Sequence, residues 1–318
     1  MSLKIIGTGK ALPERTVTND ELAGMVDTND EWIISKTGIK ERRVCTWETA
    51  ASLAEQAGRR AVERAGLALS EIDMLICATV SGDYVTPSLA CCVLERLGVS
   101  CPAFDISAAC PGFVYALDAA DAYITSGKAK NILIVAAERM SRNLDWNDRA
   151  TCILMGDGAG ACVVTAGNAL KYSRLWAAGE AGMLYVDSGT GNSPFADAPS
   201  PRGYIHMQGQ QVFKFAVRAV ESEIRLALEK LNMNAEAVDY FVLHQANKRI
   251  IDSARLKLKQ PEAKFPVNID RYGNLSAASI PVLLDEMLAE GKIAPGTALV
   301  LMAFGGGPTA GISVLVWE

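Results

Sequence analysis

The chain has 318 residues, half of them hydrophobic, and its 31 Lys and Arg against 36 Asp and Glu leave a formal charge of −5. That is enough apolar material for a large core, in one large or two medium domains. The mild charge and the lack of a long basic run speak against nucleic acid as a partner, and no apolar run suits a membrane span or a secretory leader, so a cytoplasmic protein is expected.

In chain order, Leu3 to Gly9 reads as a strand running into a loop at Leu12-Pro13. Thr18-Asn19-Asp20-Glu21 and Asn29-Asp30-Glu31-Trp32 read as helix starts with Thr18 or Asn19, and Asn29, as caps. Thr37 to Arg43 reads as a charged turn region. Thr49 to Ala65 has helical spacing and Gly66 ends it. Ile72 to Thr79 is a buried strand, Ser88 to Leu97 a helix stopped by Gly98, Phe113 to Ser126 a helix stopped by Gly127, and Asn131 to Ala137 a second buried strand. Alternation of strand and helix argues for an α/β architecture with largely buried sheets.

The second half echoes the first. Leu3-Lys4 returns as Leu170-Lys171, Ile72 to Ile76 as Val238 to Val242, and the glycine-rich stretch Gly156 to Val164 as Gly305 to Ile312. Three echoes in one order suggest an internal duplication, residues 1–166 and 167–318, with the joint near Ala166-Gly167. The Pro/Gly/Ser-rich segment Asp187 to Gly203 reads as a surface loop.

Chemistry concentrates at few positions. The eight cysteines form no paired C-x-x-C set and the chain holds only two histidines, so no metal site is expected and a reducing compartment fits. Cys110 sits between the strand Ala103 to Ile106 and the helix behind Pro111-Gly112, and proline suits the first helical position. A sulfur at a helix N-terminus gains thiolate character from the partial positive charge there. The same stretch also suits a buried cysteine acting as a small hydrophobe. His244 follows the strand Tyr240 to Leu243, at the end where open α/β folds place ligand crevices, whereas His206, in the loop-like run Tyr204 to Met207, reads as structural. Asn274, in Tyr272-Gly273-Asn274, fits a turn and cap as well as a site. Phe304-Gly305-Gly306-Gly307 can bring backbone N–H groups up to an anion, or form a tight turn.

The combination is more specific than its parts. Ala-Ala-Cys-x-Gly-Phe at Cys110, His-Gln-Ala-Asn at His244, Tyr-Gly-Asn at Asn274 and the late Phe-Gly-Gly-Gly occur in this order, with Asp30 to Ile33, Thr37 to Ile39, Glu41 to Arg43, Cys152 to Gly160 and Gly209 to Phe215 matching as well. The whole chain resembles the β-ketoacyl-acyl-carrier-protein synthase III family of initiating condensing enzymes. That resemblance implies the thiolase-like, duplicated five-layered αβαβα fold with two pseudo-symmetric halves and mixed sheets, and a homodimer. It implies an acyl-CoA primer transferred to Cys110, then condensation with malonyl-acyl-carrier protein, without a cofactor. His244 and Asn274 would donate hydrogen bonds to the enolate oxygen, and the N–H groups of Cys110 and Gly306 would hold the tetrahedral oxyanion. Trp32, Lys36, Thr86, Arg149, Met207, Gly209, Phe213, Ala246, Asn247, Ile250 and Phe304 would bind substrate. Lys214, Lys248 and Arg249 would meet the acidic carrier protein, Lys248 fitting a solvated helix face equally well.

Four positions depart from the family pattern. Lys36 stands for a common arginine, keeping charge without the planar stacking face. Pro111 follows the nucleophile where a small residue is usual, and Leu275 replaces a threonine. Thr86 stands where acetyl-primed relatives carry a phenylalanine that closes the acyl pocket across a dimer interface, which implies a deeper pocket and longer or branched primers. Rival readings are a sibling condensing enzyme of polyketide or quinolone-type synthesis, a cysteine hydrolase in which water takes the acyl group, and a silent paralogue that only binds. A hydroxymethylglutaryl-CoA synthase would be expected to carry a glutamate among its catalytic groups.

Overall fold

A computed structural model of the chain describes residues 1–189, 195 and 203–318. Its strands are β1 (Ser2–Ala11), β2 (Thr16–Thr18), β3 (Glu41–Arg43), β4 (Met74–Ala78), β5 (Ala103–Ile106), β6 (Ile132–Arg139), β7 (Asp157–Gly167), β8 (Leu170–Ala177), β9 (Leu184–Val186), β10 (Ile205–Met207), β11 (Tyr240–Leu243), β12 (Ala298–Gly305) and β13 (Thr309–Val316). Its helices are α1 (Asn19–Ala23), α2 (Asp30–Thr37), α3 (Ala50–Arg64), α4 (Leu89–Leu97), α5 (Gly112–Thr125), α6 (Arg149–Cys152), α7 (Gly209–Lys230), α8 (Lys248–Leu258), α9 (Ile269–Tyr272) and α10 (Ser279–Ala289).

Two mixed sheets organise the molecule. One has the order β1-β7-β6-β4-β5, the other β11-β12-β13-β8. In the first, β4 runs parallel to β5 and β6, while β7 is antiparallel to β6 and β1. In the second, β11 is parallel to β12, and β13 is antiparallel to both β12 and β8. Between the sheets lie α5 and α10, whose Phe113, Leu117, Ile280, Leu283 and Leu284 join both sheets in one core. Helices α3 and α4 cover the outer face of the first sheet, and α7 and α8 that of the second. Helix, sheet, helix, sheet, helix: this is the five-layered thiolase architecture, with strands β4, β6, β11 and β12 apolar along almost their whole length because helices cover both faces.

The caps explain where helices begin. Thr18, Asn29, Thr49 and Ser88 each accept a hydrogen bond from a first-turn N–H through the side chain. Two carboxylates, one in the loop after β4 and one in β5, add anchors across the fold. Asp83 accepts from the N–H groups of Ala50 and Ala51 at 3.0 and 2.8 Å, and Asp105 in β5 accepts from Leu89 and Ala90 at 2.7 and 2.8 Å. Asp105 thereby fixes α4 to the strand that leads to Cys110.

Two expectations change. The charged region before Thr49 is not merely a turn: it forms β3, and Arg42 is wholly buried, donating to Val17 O, Asn19 Oδ1 and Ile153 O. Burial pulls its guanidinium down to about 10. The run around His206 is the short strand β10, paired with β9, and His206 stacks on Tyr185 at 4.9 Å. Most of the expected loop Asp187 to Gly203 lies outside the described residues; at its base, Gly203 N–H donates to Asp187 O at 2.9 Å.

Candidate active site

Two strand ends and the turn after α9 deliver the expected trio to one place. The register Ala78↔Ile106 brings β5 to the end of β4, and the chain then turns sharply at Ala109, where φ is +51°. A non-glycine residue in the left-handed region is strained, and such strain gathers at functional sites. Pro111 does not open α5 from within; it is the residue before the helix, at φ −73° and ψ 0°. On the other sheet, Leu243 pairs with Met302, and His244 N–H continues the ladder by donating to Met302 O at 2.8 Å. This sets His244 beside the end of β12, with its ring edge on Phe304 at 5.4 Å. Gly305, the last residue of β12, must be glycine for space: a Cβ there would lie 2.8 Å from Cys110 N and from Pro111 Cδ.

Asn274 is held by its backbone, donating to Leu154 O at 2.8 Å and accepting from Gly156 N–H at 3.0 Å. Gly273 supplies the turn at φ +68°, where a Cβ would strike Leu154 O at 2.9 Å. Ser276 N–H donates to Asn274 Oδ1 at 2.8 Å, which leaves the Nδ2 end free to donate to a ligand. Leu275 packs in the central core at 2 % exposure.

Cys110, His244 and Asn274 line one cavity of about 230 Å³ with Trp32, Lys36, Met207, Gly209, Phe213, Ala246, Asn247, Ile250 and Phe304. Arg149 lies just outside that lining, its guanidinium 4.8 Å from the Trp32 ring centre. Gly306 lines a second cavity of about 420 Å³ that also opens on Cys110, with Val80, Met140, Ser276 and Ile205 on its wall. Thr86 reaches neither cavity of its own chain and is exposed, beside exposed Tyr84 and Val85. Sequence reasoning missed Thr37, Met155, Leu184 and Phe215 in the first cavity, and Ser276 with Glu138 behind the sulfur. Glu138 is the first charged residue in an otherwise apolar strand, and that is its available signal.

The electrostatics revise one expectation. Burial pushes the Cys110 thiol up to about 12, and the Glu138 charge adds to this, against a hydrogen bond with Ser276 and the residue's own N–H. The resting sulfur is therefore a thiol rather than the thiolate its helix-start position suggests. Burial also pulls His244 down to about 3, so the imidazole is neutral, and Nδ1 has no partner among the described residues. Its turn is fixed by Gln245, which donates to Leu243 O at 2.8 Å and accepts from Asn268 N–H at 3.2 Å. Asn247 caps α8 through Arg249 N–H and donates to Lys36 O at 3.0 Å, tying α8 to α2 at the cavity mouth.

Of the expected docking cations, Lys214 and Arg249 are exposed, and Arg249 lies 5.3 Å from the Phe213 ring centre. Lys248 pairs with Asp252 one helical turn on, at 2.9 Å, so part of its charge is spent within α8.

Residues 104–178 match the family described as 3-oxoacyl-[acyl-carrier-protein] synthase III, and residues 228–317 match its C-terminal family. The beta-ketoacyl-[acyl-carrier-protein] synthase III of Aquifex aeolicus is 46% identical over 322 residues, covering 99% of both chains. That of Clostridium acetobutylicum is 43% identical over 321 residues, again covering 99% of both. The Aquifex crystal structure superposes with a TM-score of 0.92 over 99% of this chain and 100% of its own. The priming β-ketosynthase of the R1128 polyketide pathway gives a TM-score of 0.93 at 33% identity, covering 100% of this chain and 96% of its own. The chain belongs to the 3-oxoacyl-[acyl-carrier-protein] synthase III family.

Proposed function

We propose that this chain catalyses the initiating condensation of fatty acid synthesis, joining an acyl-CoA primer to malonyl-acyl-carrier protein with loss of CO₂. The observation that carries the reading is the meeting of a sulfur, a neutral imidazole and a carboxamide in one buried cavity. Cys110 takes the acyl group as a thioester and releases CoA. Decarboxylation of the malonyl group then leaves an enolate whose oxygen accepts hydrogen bonds from His244 and Asn274. No proton leaves carbon in that step, so two neutral donors suffice and no strong base is needed. The carbanion attacks the thioester, and the N–H groups of Cys110 and Gly306 hold the tetrahedral oxyanion. The reaction requires no cofactor.

Lys36 and Arg149 around Trp32 suit the phosphates and adenine of CoA, and Lys214 with Arg249 suit an acidic carrier protein. A homodimer fits the unpaired edge of β5, where Phe104 and Ile106 are half-buried and the neighbouring loop exposes Val85. In such a dimer Thr86 is positioned to face the partner's acyl pocket. We also read the chain as a duplication divided at 166/167, and the protein as cytoplasmic.

The test is the rate of 3-oxoacyl-carrier-protein formation with a series of acyl-CoA primers. Product formation coupled to CO₂ release supports the reading, with primers longer than acetyl, or branched ones, favoured. Hydrolysis of the acyl group without CO₂ release would replace it with a thioesterase. A preference for acetyl would refute the deeper pocket.

A further inference from the structure

Behind the sulfur lies a buried carboxylate that the steps above do not use. Glu138, at the end of β6, has no exposed surface and no cation pairs with it among the described residues. A buried carboxylate without a cation is costly, so its surroundings matter. One oxygen, Oε2, accepts from Val80 N–H at 3.1 Å, Thr79 Oγ1 at 3.2 Å and Ser81 Oγ. The other, Oε1, accepts from Ser276 Oγ at 3.0 Å. Ser276 is 2 % exposed and lines the second cavity together with Cys110, near enough for its hydroxyl to hold the thiol below where burial alone would put it. Both residues at this junction are strained: Ser276 has φ +50° and Ala109, next to the sulfur, φ +51°. Such backbone strain persists only where the surrounding structure holds it, and here the fold holds it beside both the sulfur and the hydroxyl.

We propose that Cys110, Ser276 and Glu138 form a proton relay in which Glu138 holds the cysteine's proton for as long as the sulfur carries the acyl group. This rests on the condensing reading of the site. As Sγ attacks the acyl-CoA carbonyl, the thiol proton moves to Ser276 Oγ and the Ser276 proton moves to Glu138 Oε1. The S–C bond to Cys110 forms, the C–S bond to CoA breaks, and the CoA thiolate takes a proton from solvent. When the carbanion later attacks, the new C–C bond forms, the Cys110 S–C bond breaks, and the reverse shift returns the proton to sulfur. The pair thus carries one negative charge while the sulfur is free, as thiol with carboxylate or thiolate with carboxylic acid, and none in the acyl-enzyme, where the thioester is neutral and Glu138 holds the proton.

The surroundings favour that sharing. Burial raises both groups, and the charge of Glu138 opposes a second charge on Cys110, so one proton serves both. Across the cavity His244 is neutral. On β7 the neighbouring Asp157 is held by Ser141 and by Cys45 N–H, and Arg139 donates its backbone N–H to Ser81 Oγ.

Alkylation of Cys110 by iodoacetamide, followed by intact mass across the neutral pH range, reads the relay without needing the condensation. The wild type is expected to alkylate at a nearly constant rate, because the proton moves within the pair. E138Q and S276A are expected to alkylate more slowly at neutral pH, with rates rising about tenfold per pH unit, because the proton must now leave to solvent. E138D should restore part of the flat profile. If E138Q alkylates faster than the wild type, Glu138 acts only as a repelling charge and the relay is wrong. If S276A keeps the flat profile, the relay is wrong as well, and S276A carries the test should E138Q fail to fold. A protein with the flat profile that makes no 3-oxoacyl product would instead overturn the condensing reading and leave the relay standing.

Discussion

At the buried end of the tunnel, Cys110, His244, Asn274 and Ser276 are fixed by backbone hydrogen bonds, close glycine contacts and strained dihedrals. At its mouth, Lys36, Arg149, Lys214 and Arg249 stand exposed on α2, α6, α7 and α8, Arg149 and Arg249 lying over the Trp32 and Phe213 rings and Arg149 also donating to Asp27 O at 2.6 Å. The contrast separates two kinds of work. Developing charge on a thioester oxygen needs donors already in position in a dry site, where each is worth several kcal/mol. A long, charged substrate carrier needs attraction at a distance, which exposed cations supply without fixed geometry.

If the buried end works by position, removing one donor should have the largest effect. Asn274→Ala is expected to lower the condensation rate by about 100- to 1,000-fold while leaving acylation of Cys110 nearly unchanged. Stopped-flow measurement of the two half-reactions checks this, and an equal loss in both would place Asn274 in acyl transfer instead.

The next effect is on stability. His244 has an ordinary value of 6.5, and burial holds it near 3 in the folded chain. The unfolded chain therefore binds a proton below pH 6.5 that the folded chain does not. Stability from this residue is complete above pH 6.5 and falls by up to about 1.4 kcal/mol per pH unit as pH drops toward 3. Denaturant melts of wild type and His244→Gln at several pH values check it: the variant should lose stability less steeply on the acid side.

The smallest effect belongs to the mouth. Lys214→Glu with Arg249→Glu should raise KM for the malonyl-carrier protein by about five- to tenfold, on the order of 1 kcal/mol, with kcat kept. Added salt should narrow the difference between variant and wild type. A fall in kcat instead would mean that the mouth shapes the reaction site.

The same contrast governs what the sequence reveals. Local rules locate Asn29 as a cap, Gly98 as a stop and the buried strands, because these depend on neighbours in the chain. Cys110, His244 and Asn274 are legible as a set because each sits in a distinctive local motif. Arg42 in a charged run and Glu138 at a strand end are not, because their burial is decided by distant residues such as Ile153 and Ser276. The thiolate expected at Cys110 likewise follows from its helix-start position alone, whereas burial of the sulfur decides its state.

The central claim is that Cys110 carries the acyl group between two substrates. Intact mass measured after adding acyl-CoA, and again after adding malonyl-carrier protein, tests it most directly. The account predicts one acyl mass, mapped to the Cys110 peptide, that disappears on the second addition as 3-oxoacyl-carrier protein forms. Product formation with no acyl-enzyme, or an acyl group on another residue, would contradict it.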